Sequence, residues 1–147
     1  MNGLHIPYSL EAEHVGILRS TAPGEMSSVV DRISAHMRAL HADLPAGLAR
    51  RHHGNPAASL RVHQLYGIPV LLSGLAALVL SKAELDALDH HHKVTLERLM
   101  RLYPATPAPV VHFFAGSLPA RAHLHSRQLG LLALLFISPV IIHGFTV

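Results

Sequence analysis

The chain has no cysteine among its 147 residues, so disulfides, thiolate zinc sites and a cysteine nucleophile are excluded. Charge is scarce as well. Charged side chains make up 14% of the sequence, below the roughly 25% usual for soluble domains, while hydrophobic residues reach 50%. Part of the surface is therefore expected to meet something other than water. The basic excess of +3 comes from ten Arg and only two Lys, and Arg suits phosphate recognition because its planar fork pairs with anionic oxygens. The fourteen His add further charge when the pH falls through about 6.5.

Several catalytic signatures are also missing. No Gly-x-Ser-x-Gly surrounds Ser73 and no Gly-x4-Gly-Lys loop exists, so acyl transfer and nucleotide hydrolysis have no support. Asp31, Asp43, Asp86 and Asp89 are never adjacent, and Glu84, Asp86 and Asp89 read as the solvated side of a helix. The amino terminus, "MNGLHIPYSLEAEH", lacks the basic and then apolar order of a signal peptide. An intracellular location is expected over secretion.

What is present is helical periodicity. "AEHVGILRS" reads as one short strand followed by the turn-rich "STAPGE". Val29, Val30, Ile33, Met37 and Leu40 then recur at three- or four-residue steps and predict a helix over 26–42. Asn55 and Pro56 are a cap and first-turn pair for a second helix over 57–66, which Gly67 and Pro69 should interrupt. The apolar run 68–80 is 13 residues, roughly 20 Å as helix against the about 30 Å of a bilayer core. It is too short to span a membrane and is expected as a buried helix.

"SKAE" at 81–84 is a capping box, opening a helix whose stripe is Leu85, Leu88, His92, Leu96 and Leu99. Thr106 and Pro107 predict a short helix to Phe114 that stops at Gly116, and a last helix should begin near Pro119. The 19 residues after Gln128 contain no Asp, Glu, Lys or Arg. The expected fold is mostly α, a single domain of about five helices with one short N-terminal β-strand.

Two clusters bear on chemistry. His90, His91 and His92 suggest a metal, but consecutive helical residues diverge by about 100°, so at most one or two of them share an ion. His123 and His125 suffer the same defect. No metal and no cofactor are expected, and the triplet reads as a polar face with His92 in the apolar stripe. "ARRHHGN" is the better site: Arg50, Arg51, His52 and His53 occupy a loop feeding a helix start, where backbone donors also point outward. An anion site and an ordinary basic surface loop both fit those residues.

The order of segments supplies a further lead. "EHVGILRS", a helix with "DRISAH", and then "LRVHQLYGIPVLLSGLAALVLSKAELDALDHHHKVTLERLMRL" resemble the region after the polymerase palm in non-LTR (LINE-type) retrotransposon reverse transcriptases. Leu65, Tyr66, Pro69, Val70, Leu71, Leu72 and Gly74 match one family motif, and Ser81, Lys82, Ala83 and Glu84 match the next. "GSLPARAHLHSRQLGLLALL" is similar to the following segment, in which a Leu-Pro turn opens an Arg-rich helix. The resemblance covers about 8–135, and "FISPVIIHGFTV", 136–147, reads as an unrelated hydrophobic tail.

The family's catalytic Tyr-Ala-Asp-Asp, which holds two magnesium ions, is absent, as expected if the sequence starts downstream of it. The resemblance implies a thumb or connection segment without catalysis of its own. Its implied partners are RNA or an RNA/DNA duplex and the missing palm domain. A helical protein-interaction module without a nucleic-acid role is the alternative, and a membrane association rests only on the charge-free tail.

Overall fold

The computed structural model describes residues 11–14, 17–20, 27–43 and 55–143, with side chains from 28–41 and 55–137. The described residues are mostly helical. Strands β1 (Glu11–His14) and β2 (Ile17–Ser20) pair antiparallel with Glu11 opposite Ser20, in the segment read as a single strand. The helices are α1 (Ser27–Asp43), α2 (Pro56–Val62), α3 (Ile68–Leu72), α4 (Lys82–Met100), α5 (Ala108–Ala115) and α6 (Ala120–His143).

The ends of these helices follow local chemistry. Asn55 caps α2 by accepting the Ala57 N–H at 3.0 Å. Ser81 Oγ accepts the Glu84 N–H at 3.3 Å while Glu84 Oε2 accepts the Ser81 N–H at 2.7 Å, the reciprocal pair expected from "SKAE". Gly116 ends α5 at φ 57. Thr106 does not cap α5; its hydroxyl donates to the Tyr103 carbonyl at 2.6 Å and closes the preceding turn.

The stretch 57–80 departs most from the sequence reading. Gly67 and Pro69 do not interrupt the helix. A π-helical turn, His63–Gly67, joins α2 to α3, and the Ile68 N–H reaches back five residues to the His63 carbonyl. The wider turn absorbs one extra residue and keeps the rod continuous. The run 68–80 is not one helix either: α3 stops at Leu72, Gly74 takes φ 75, and a 3-10 turn at Leu75–Ala77 leads into extended chain at Leu78. A left-handed residue cannot sit inside an α-helix, and glycine adopts it without a Cβ penalty. The chain reverses there, and Gln128 Nε2 donates to the Leu78 carbonyl at 3.0 Å.

With α2 and α3 forming one rod, the described residues make five helical bodies around two apolar cores. The larger core joins Val29, Ile68, Leu71, Leu72, Leu75, Leu78, Leu88, Ala120 and Leu124. The smaller holds Leu96, Val111 and Ala115, with Leu60, Met100 and Leu102 packed against it. On α1 the buried face is Val29, Ile33 and His36, whereas Val30 is 53% exposed. Among the described residues no helix is long and apolar enough to cross a membrane.

Candidate functional site: a histidine seam between the cores

On α4, Leu88 enters the larger core and Leu96 the smaller. His92 lies one turn from each, with 1% of its surface exposed. The i, i+4, i+8 spacing therefore puts an imidazole at the junction. His36 follows Ile33 by three residues on α1, and His63 opens the π-helical turn. Both are buried, at 0% and 2% exposure.

These rings form a chain. His91 Nε2 lies 2.8 Å from His36 Nδ1, His36 Nε2 lies 3.4 Å from His63 Nδ1, and His63 Nε2 lies 3.4 Å from His92 Nδ1. His92 Nε2 then reaches Ser117 Oγ at 3.3 Å, and that hydroxyl donates to the Leu118 carbonyl at 3.3 Å. Since the Ser117 proton is committed to Leu118, His92 Nε2 is the donor of its pair, and its Nδ1 accepts from His63. The same step repeats along the row. All four rings are assigned as Nε2–H tautomers running head to tail, with the His91 Nδ1 at the open end.

His112 of α5 stacks on His92 with ring centroids 5.6 Å apart, and His123 of α6 meets His92 edge-on at 6.2 Å. His112 Nδ1 and His123 Nε2 are buried without a hydrogen-bond partner. Gly67 completes the packing. A Cβ there would stand 3.0 Å from His36 Nε2 and inside van der Waals contact of His63 Nδ1, so only glycine admits both rings.

Burial dominates the electrostatics. It lowers His36 to about 3, aided by the charges His63 and His91 would carry. His63 falls to about 4 through burial, then His91 and His123. His92 falls to about 3 through burial, then His63, His112 and His123, against a small opposing pull from the Leu118 backbone. His91, His112 and His123 are also lowered, first by burial, with Arg98 acting on His91 and Arg127 on His123. The rings are neutral at physiological pH.

A row of rings is not a metal shell. Each inner ring gives one nitrogen to each neighbour, so nitrogens face in pairs and never converge; among the described residues no three His, Asp or Glu side chains form a set that could hold an ion. Nearby, Asp86 and Asp89 are not idle surface carboxylates. Asp89 accepts the Arg121 backbone N–H at 2.9 Å and pairs with its Nε, while Asp86 takes Arg121 Nη2 at 2.6 Å, fixing the head of α6 on α4.

The triplet at 90–92 divides as its helical phase requires: His92 is buried, His91 reaches His36, and His90 is exposed. Arg50, Arg51, His52 and His53 lie outside the described residues. The sequence does not single out His36, His63 and His112, and it offers His123 only beside His125 as a metal pair; the general signal is the large number of histidines. No protein-family model, curated protein or solved structure matches the chain.

Proposed function

We propose that the chain is a catalytically incomplete segment of a retrotransposon reverse transcriptase, of the thumb or connection type, whose ancestral role is to hold primer and template nucleic acid. What supports this reading is the ordered resemblance, together with the place its motif residues take. Leu71 and Leu72 fill the core, Gly74 makes the reversal, and Ser81 with Glu84 caps α4. Arg121 of the Leu-Pro segment is clamped by Asp86 and Asp89. These are scaffold roles, suited to a part that positions a duplex beside a palm. The 147 residues contain no Tyr-Ala-Asp-Asp, and no primer extension is expected of them.

Nucleic-acid contact is assigned to Arg50, Arg51, His52 and His53. The test is titration of single-stranded and duplex RNA at two salt concentrations. Phosphate contacts release counterions, so affinity should fall steeply with salt, and Arg50→Ala with Arg51→Ala should reduce the log–log slope by roughly one to two units. Arg98→Ala with Arg101→Ala is the control. Equal effects of the two double variants, or binding indifferent to salt, would refute the assignment.

A second reading, a helical protein-interaction module, is favoured by one observation. Phe113 is 82% exposed beside an exposed Phe114, and Leu129, Leu131, Leu132, Leu134, Leu135, Phe136 and Ile137 of α6 are exposed in succession. That much apolar surface is larger than scattered surface residues account for. Salt-insensitive capture of a protein partner, with no RNA binding, would select it.

A further inference from the structure

We propose that the histidine seam is a proton-operated latch: with its rings neutral it locks α1, the α2–α3 rod, α4, α5 and α6 together, and proton uptake in mildly acidic solution opens it. This goes beyond the nucleic-acid role and stands whether or not that role holds.

The geometry makes the lock. The chain His91, His36, His63, His92 and Ser117 crosses from α4 to α1, to the π-helical turn, back to α4 and on to the loop before α6. His112 and His123 bring α5 and α6 against the same ring. Each helical body thus contributes at least one imidazole.

Neutral rings satisfy every contact of the row, because each donates from Nε2 and those of His36, His63 and His92 accept at Nδ1. One added proton is tolerated at the His91 Nδ1, the free acceptor at the open end. A second is not. Protonating His36, His63 or His92 turns its accepting nitrogen into a donor, which then faces the N–H of its neighbour at 2.8 or 3.4 Å. The row cannot discharge the proton at its far end, since Ser117 already donates to Leu118.

The surroundings add little compensation. The charged groups facing the seam are Arg98 and His90 beside His91, Arg127 beside His123, and one carboxylate, Asp89, beside His112. Asp89 is itself engaged with Arg121. From α1 and the α2–α3 rod come His36 and His63 themselves, and Arg32, one turn before His36 on α1, is paired with Asp31. In an opened chain each ring takes a proton near pH 6.5, so opening and proton uptake are coupled.

The experiment measures the unfolding equilibrium of the full chain by denaturant titration between pH 8 and pH 5, above the range where carboxylates titrate. We expect little change above pH 7 and, below about pH 6, a fall in the folding constant that steepens toward roughly a thousandfold per pH unit, the linkage for three protons. The variant His36→Leu, His63→Leu, His92→Leu should flatten that slope. A wild-type slope of about tenfold per unit or less, or an unchanged slope in the variant, overturns the latch. If the triple variant does not fold, nitrogen NMR of the wild type decides: Nε2–H tautomers at His36, His63 and His92 that stay neutral in the folded protein at pH 5.5 support it. Protonation of those rings in the folded state near pH 6.5 overturns it.

Discussion

At the scale of the residue, Gly67 shows how a missing side chain sets a site. It is buried in the π-helical turn at φ −64, a conformation any residue adopts, so backbone freedom is not its reason for being glycine. The reason is the approach of His63 Nδ1 and His36 Nε2. Gly67→Ala must displace the His63 ring, which is held from both sides within a packed interior. Overpacking of this kind costs about 1–3 kcal/mol. The loss should appear as a lower denaturant midpoint, and the His63 resonances should shift more than those of His91. An unperturbed His63 would show that the seam has slack.

Helix His92 was legible in the sequence as a member of the α4 stripe, because the stripe is a local pattern. His36 was not, although it extends the Val29 and Ile33 face by one turn. A histidine on an apolar face reveals its partner only when a second helix is placed against it, and here the partners are 27 to 55 residues apart in sequence. The basic residues at 50–53 stand out in the sequence by their charge, whereas the seam consists of rings that burial keeps neutral and that no charge count discloses.

At the scale of the element, the same division between local and distant causes holds. The capping box at Ser81 and the start of α2 at Asn55 depend on residues at most three apart, and both were readable. The expected 13-residue helix over 68–80 failed because hydrophobic runs do not report backbone sign. Gly74, at φ 75, turns the chain so that Leu75 and Leu78 return to the core that Leu71 and Leu72 already occupy.

Gly116 offers a clean measure of such a backbone requirement. It ends α5 at φ 57, and a Cβ placed there meets nothing within 4 Å. Gly116→Ala therefore isolates the left-handed penalty from any clash. It should destabilise the protein by about 1 kcal/mol with no change in the surrounding side chains. A cost near zero in equilibrium unfolding would mean that α5 ends elsewhere in solution.

At the scale of the whole molecule, the balance between packed and exposed apolar surface decides which parts belong to the fold. The larger core draws on α1, the α2–α3 rod, the 3-10 turn, α4 and the first turns of α6, where Ala120 and Leu124 are buried. After Gln128, α6 carries leucines at every angle around its axis and exposes all of those described. A helix apolar all round is ordinarily covered on every side, and over the described residues 129–137 the neighbours that hold the beginning of α6 do not cover it. From Leu129 to Ile137 the large apolar side chains of α6 stay exposed, whereas Ala120 and Leu124 before them are buried.

Two substitutions of the same chemistry separate these regions. Leu72→Ala removes a side chain that is 1% exposed within the larger core, and the resulting cavity should cost about 2–5 kcal/mol of unfolding free energy. Leu134→Ala removes one that is 65% exposed, and it should change stability by no more than about 0.5 kcal/mol. The pair is measured in one denaturant series at pH 8, the upper end of the range used for the latch. A large loss for Leu134→Ala would mean that the distal half of α6 is covered in solution, by this chain or by a partner. Its dependence on protein concentration would then distinguish self-association from packing within one molecule.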